Sequence, residues 1–129
     1  MVVKLIPFDA ARYLGDDTAV AEYLTAILEA DDPDLLLLDE PFGSLDALTR
    51  ERMGVELSRI WQKRRKTVVM VTHSITESLY LADRVLVLTP RPGTVKLDLK
   101  VDLPRPRTDE IKFTAHFGRL ARRLKQALE

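Results

Sequence analysis

The chain has no cysteine, only five glycines, one tryptophan and no apolar run longer than the four leucines Leu35–Leu38. The missing cysteines exclude disulfides and thiolate metal sites. Four leucines fall far short of the roughly 20 apolar residues that span a bilayer. The opening MVVKLIPFD lacks the long apolar core and small-residue cleavage site of a secretory signal. A cytoplasmic protein is therefore the expectation. Glycine is scarcest where a phosphate-cradling loop would need it: before Asp39 there is only Gly15, in YLGDD.

What is present fits one folded domain. The chain has 129 residues, 46% of them hydrophobic and 31% charged, which suits a soluble globular protein with one core. The net charge of zero hides a division. Residues 1–46 carry two Lys and Arg against eleven Asp and Glu, a balance of −9, and residues 47–129 carry eighteen against nine, a balance of +9. Such asymmetry marks a partner surface, a tail or two segments of different origin, or is chance clustering on solvated faces.

Hydrophobic spacing predicts helices over Phe8–Leu14 and Thr18–Ala30, the second stopped by Asp31-Asp32-Pro33-Asp34. Leu35–Leu38 does not alternate, and the turn Pro41-Phe42-Gly43-Ser44 after it favours a strand buried on both faces. A helix should then run from about Ala47 to Arg65, with Met53, Leu57, Ile60 and Trp61 inward. Its basic end, Lys63–Lys66, suits the negative pole of the helix dipole. Thr67–Val71 is β-branched and apolar, so a buried strand is expected. Ser74-Ile-Thr-Glu77 reads as a capping box opening a helix through Leu81. Arg84–Leu88 is a further strand, and Pro90-Arg-Pro-Gly93 a turn. Thr94–Leu103 alternates like an edge strand, and an amphipathic helix should span Asp109–Leu128.

Strand, helix, strand, helix, strand with short connections is an α/β pattern with a parallel sheet. Ligands of such sheets bind at the carboxyl ends of the strands. Asp39, Glu40 and His73 all fall at those ends. An Asp fixed by a buried strand can hold Mg²⁺ through water, and an adjacent Glu can polarise an attacking water. A histidine at the end of a neighbouring strand could donate to a terminal phosphate. Taken singly, a DE after an apolar run is common and a lone His is more often a polar strand end; their combination with the PFGSLD turn is more specific.

LLLLDEPFGSLDALTR followed by VVMVTHSITESLYLADRVLVL resembles the second half of an ABC transporter ATP-binding subunit. The segment VLVLTPRPGTVKLDLKVDLPRPR is similar to the nitrate, sulfonate and taurine importer branch. The resemblance covers the chain from about Asp34 to its end. It implies a partial P-loop NTPase-type α/β fold, with three core strands plus an edge strand, flanked by helices. It also implies that Asp39 is the Walker B aspartate, Glu40 the catalytic glutamate, Ser44-Leu45-Asp46 the D-loop that couples two sites across a dimer, and His73 the switch histidine. ATP and Mg²⁺ are the implied cofactors. A second ATP-binding subunit and a membrane permease are the implied partners, with a peripheral place on the inner face of the cell membrane when assembled.

The departures are as informative. No G-x-x-x-x-G-K-S/T loop occurs, and AEYLTAILEADD stands where an LSGGQ-type signature is expected before the Walker B strand. Two carboxylates without phosphate donors should not bind ATP tightly or turn it over alone. Residues 1–38 resemble the N-terminus of addiction-module antidote proteins, which implies a helical segment over 1–33 and a toxin as a possible partner. The sequence expectation is thus a truncated or chimeric ATP-binding subunit, with residues 34–129 as its ABC part. An antitoxin-like binding module is the alternative. A nucleic-acid reading rests on Arg119, Arg122, Arg123, Lys125 and Lys63–Lys66. It lacks interleaved aromatics and a recognition-helix pattern, so a solvated face is preferred.

Overall fold

The computed structural model describes residues 3–5, 35–65, 67–91 and 93–129. The chain divides into two compact units, Met1–His73 and Ser74–Glu129. The helices expected at Phe8–Leu14 and Thr18–Ala30 lie outside the described residues, as does most of the antidote-like segment.

In the first unit the two apolar runs become strands. Val3–Leu5 forms β1, Leu35–Asp39 β2 and Thr67–Val71 β3, in a parallel sheet of order β1-β2-β3. The β2–β3 register runs from Leu35 opposite Thr67 to Asp39 opposite Val71. Parallel neighbours need a long crossover, supplied here by α1, Ala47–Arg64. Met53, Leu57 and Ile60, at i, i+4 and i+7, are buried on one side of it, as are Leu38, Phe42 and Leu45 before it. The helix ends at Arg65 in the left-handed region (φ 39°), whose N–H donates to Trp61 O at 2.8 Å. The Arg65 guanidinium lies 4.9 Å from the centre of the Trp61 ring.

The second unit begins with α2, Ile75–Leu81, capped by Ser74, whose hydroxyl accepts from Glu77 N at 3.2 Å. Arg84–Leu88 (β4) and Val95–Lys100 (β5) form an antiparallel hairpin closed by Thr89 N–H donating to Thr94 O at 2.9 Å. A 3-10 turn over Asp109–Phe113 leads to α3, Ala115–Leu128. The core joins Leu79, Val87, Leu99, Val101, Leu103, Phe117, Leu120 and Leu124.

One buried cation ties this unit together. Helix α2 has no basic residue in its last turn, and its final carbonyls need donors from elsewhere. Arg107 donates to the carbonyls of Leu79 (3.0 Å), Tyr80 (3.1 Å) and Ala82 (2.6 Å). It also reaches those of Val101 (3.4 Å) and Leu103 (3.3 Å). Arg105 covers the remaining carbonyl, Leu81 O at 2.6 Å, and pairs with Asp83 at 2.8 Å. Tyr80 Oη closes the loop by donating to Arg107 O at 2.9 Å. Burial pulls the Arg107 pKa down to about 10, so the group is still charged at neutral pH.

Several sequence expectations need correction. Arg84–Leu88 does not join β2 and β3 as a third core strand; it pairs with β5 in a separate two-stranded sheet, and Val3–Leu5 takes the third place in the parallel sheet. The short Thr89–Thr94 connection favours a local hairpin over a crossover. Thr67–Val71 is not the buried strand expected: Val69 and Val71 are 46% and 49% exposed, while Val68 and Met70 are half-buried. The last α-helix starts at Ala115 rather than Asp109, because Thr114 caps it by accepting from Phe117 N. Strand β5 stops at Lys100 instead of Leu103, where Val101 N–H turns to Asp83 O at 2.9 Å.

Replacing Arg107 with Ala orphans these carbonyls. The expected cost is about 3 kcal/mol in the unfolding free energy of residues 74–129, as for other broken buried charge networks. Urea titration followed through α3 amide resonances checks it; an unchanged midpoint would contradict it.

Candidate functional site

The parallel pairing of β2 and β3 brings both strand ends to the same side. Asp39 is the last residue of β2 and is exposed; it stands opposite Val71, the last residue of β3. Glu40 N–H continues the ladder by donating to Val71 O at 2.8 Å. The chain then turns abruptly, and Glu40 adopts a left-handed backbone (φ 43°) that a non-glycine residue rarely takes. Gly43 N–H donates to Glu40 O and Leu45 N–H to Phe42 O, both at 3.1 Å, completing a tight turn over the buried Pro41 and Phe42.

Two residues beyond β3, His73 Nε2 lies 3.4 Å from Glu40 Oε1. This is an ion-pair distance without hydrogen-bond geometry: Oε1 is buried and has no hydrogen-bond partner. The imidazole is almost fully exposed, at 96%. A sheltered carboxylate oxygen with unused acceptor capacity faces an exposed ring that can donate. That arrangement can accept a proton from a water or hold a polar hydrogen.

Ser44 is exposed in the turn. Asp46 is the N-cap of α1, its Oδ1 accepting from Thr49 N and its Oδ2 from Thr49 Oγ1, both at 2.9 Å. The Thr49 amide, then its hydroxyl, hold the Asp46 carboxyl below its ordinary value. Of the five sequence-assigned residues, the structure thus brings Asp39, Glu40 and His73 to one sheet end. Ser44 and Asp46 follow on the adjoining turn, with the Asp46 carboxylate turned into its own helix.

Among the described residues, no three His, Asp or Glu side chains cluster into a metal cage. An exposed strand-end aspartate suits Mg²⁺, which keeps several waters and takes one or two carboxylates plus phosphate oxygens. The phosphate side is different: no G-x-x-x-x-G-K-S/T sequence is present to supply amide donors.

Sequence reasoning missed Arg50. Its Nη2 donates to Leu45 O at 3.2 Å and Gly43 O at 3.4 Å. The i, i+4 spacing from Asp46 was the available signal, but it suggests a helix ion pair rather than a clasp on the preceding turn.

An ABC transporter ATP-binding protein of Methanocaldococcus jannaschii is 50% identical over 101 residues, covering 78% of this chain and 36% of that protein. The chain's homologues are ABC transporter ATP-binding proteins. Among these ABC relatives, the aliphatic sulfonates import ATP-binding protein SsuB of Bacillus licheniformis is 49% identical over 105 residues (81% of this chain, 39% of that protein). SsuB 2 of Burkholderia cenocepacia is 50% identical over 106 residues (82% and 37%). The chain spans between 36% and 39% of the length of these three ABC proteins. No family model matches the chain. Among its described residues no helix is long and apolar enough to cross a membrane.

The Asp46 cap gives a pH test with a definite sign. Its folded pKa is depressed, so its contribution is fully present above the unfolded value of 3.8 and is lost as pH falls through the lower folded value. Asp46→Asn keeps an acceptor that does not titrate. Acid unfolding followed by Trp61 fluorescence is therefore expected to be less steep below pH 3.8 in Asp46→Asn. Identical acid profiles would contradict the cap's role.

Proposed function

We propose that residues 34–129 supply the metal-and-water side of an ATP-hydrolysing site of the ABC type, in the manner of a sulfonate-class importer subunit. The observation that carries this reading is the meeting of Asp39, Glu40 and His73 at the shared carboxyl end of two paired parallel strands. The homologues, which are ATP-binding proteins and include sulfonate import subunits, support it.

In this reading Asp39 would hold Mg²⁺, which would supply charge neutralisation at phosphate oxygens. Glu40 orients an attacking water and accepts its proton at the carboxylate. His73 donates a hydrogen bond towards the terminal phosphate. Ser44 and Asp46 lie on a turn that would face a second ATP-binding chain, and a membrane permease completes the assembly. Its place is then peripheral, on the inner face of the cell membrane. The absence of a phosphate-cradling sequence limits the chain by itself, so no hydrolytic step is assigned to it in isolation. No observation among the described residues favours the toxin-binding alternative.

Mn²⁺, a paramagnetic stand-in for Mg²⁺, is expected to broaden the amide resonances of Asp39 and Glu40 selectively in the intact chain, and Asp39→Asn to abolish the effect. Broadening that is insensitive to Asp39→Asn, or absent from these residues, would overturn the metal role. The isolated chain is expected to show no ATP hydrolysis that depends on Glu40. Turnover lost in Glu40→Gln would contradict the assigned limit.

A further inference from the structure

We propose that Arg50 is a positioning residue for Glu40, acting through the turn between β2 and α1. The proposal rests on the metal-and-water reading above for its functional meaning, and on separate geometry for its mechanism.

Arg50 lies in the first turns of α1, its backbone N–H donating to Asp46 O at 2.9 Å. Long side chains on a helix lean back towards its N-terminus, and here that direction points over the preceding turn. Nη2 donates to the carbonyls of both Leu45 and Gly43, at 3.2 and 3.4 Å. Those two residues are also the ones whose N–H groups close the turn, Gly43 onto Glu40 O and Leu45 onto Phe42 O. Gly43 is therefore gripped from both sides: its amide by the Glu40 carbonyl and its carbonyl by Arg50.

Gly43 in turn lies under the Glu40 side chain. A methyl group built on Gly43 would meet Glu40 Cβ at 3.6 Å and Oε2 at 3.8 Å. The glycine forms a floor for the carboxylate, so a displaced Gly43 peptide changes where that carboxylate rests. The Glu40 backbone is held in a left-handed conformation, and such conformations persist only where surrounding contacts over-determine them. The Arg50 clasp is one of those contacts. A lysine offers one ammonium where arginine has a rigid fork, so it can reach a carbonyl without matching the same geometry.

The experiment uses the full chain as wild type, Arg50→Met, which keeps an unbranched apolar stem, and Arg50→Lys. Amide exchange at Gly43 and Leu45 and the ¹³C resonance of the Glu40 carboxylate report the turn directly. Mn²⁺ broadening at Asp39 and Glu40 reports its functional consequence. In Arg50→Met, exchange at these two amides is expected to accelerate about fivefold, the effect of roughly one lost hydrogen bond. Central α1 amides should be unchanged, the Glu40 resonance should move, and more Mn²⁺ should be needed for half-broadening. Arg50→Lys should restore most of each effect, which a merely space-filling role would not. Unchanged exchange at Gly43 and Leu45, or an unmoved Glu40 resonance, overturns the proposal. Should Arg50→Met fail to fold, Arg50→Gln, with its shorter and uncharged side chain, decides: acceleration confined to these two amides supports the proposal, and none overturns it. If Mn²⁺ leaves the wild-type spectrum untouched while the turn responds to Arg50, the metal reading fails and the positioning of Glu40 stands.

Discussion

The parallel register of β2 against β3 is the constraint on which the candidate site depends. With Asp39 opposite Val71, the Glu40 amide reaches Val71 O and the last ladder bond falls at the first residue of the turn. Side chains on a strand alternate between faces, so a slip of one residue would send Asp39 to the other face and separate Glu40 from His73. The strained backbone at Glu40 follows from this placement. The chain has to leave the strand immediately, and the left-handed conformation makes that exit. What stabilises the turn afterwards is local: two backbone bonds, the buried Phe42, and the Asp46 cap that starts α1 one residue after Leu45.

The second unit solves a different problem with a different device. A seven-residue helix has more unpaired terminal groups than internal bonds. Arg105 and Arg107 between them satisfy the carbonyls from Leu79 to Ala82. The same Arg107 reaches the chain that leaves β5, at Val101 and Leu103, and so joins the helix end to that segment. A buried charge is costly unless it is well partnered, and five carbonyl acceptors provide that partnering here. Arg107 is thus an organising residue of this unit.

The parts legible in sequence were those decided locally. Thr67–Val71 and Arg84–Leu88 read as strands, and the Ser74–Glu77 capping box opens α2 where its spacing said it should. Asp39, Glu40 and His73 were legible because the strand ends that carry them were, and because the LLLLDEPFGSLD and VVMVTH motifs resemble a family. Non-local choices were not legible. Val3–Leu5 is too short to announce itself as a strand, and its partner Leu35–Leu37 is distant in sequence. Nothing in RVLVL says whether it joins a parallel sheet or folds back on the next strand. Arg50 and Arg107 look like ordinary surface cations in sequence. Their roles come from carbonyls that only the folded backbone gathers.

The central claim is that β2 and β3 pair in parallel with Glu40 bonded to Val71. A through-hydrogen-bond scalar coupling between the Glu40 amide nitrogen and the Val71 carbonyl carbon measures that bond directly. The account predicts a resolved coupling, together with slow exchange of the Glu40 amide. No coupling and an amide that exchanges at the rate of an open chain would contradict it, and with it the meeting of Glu40 and His73.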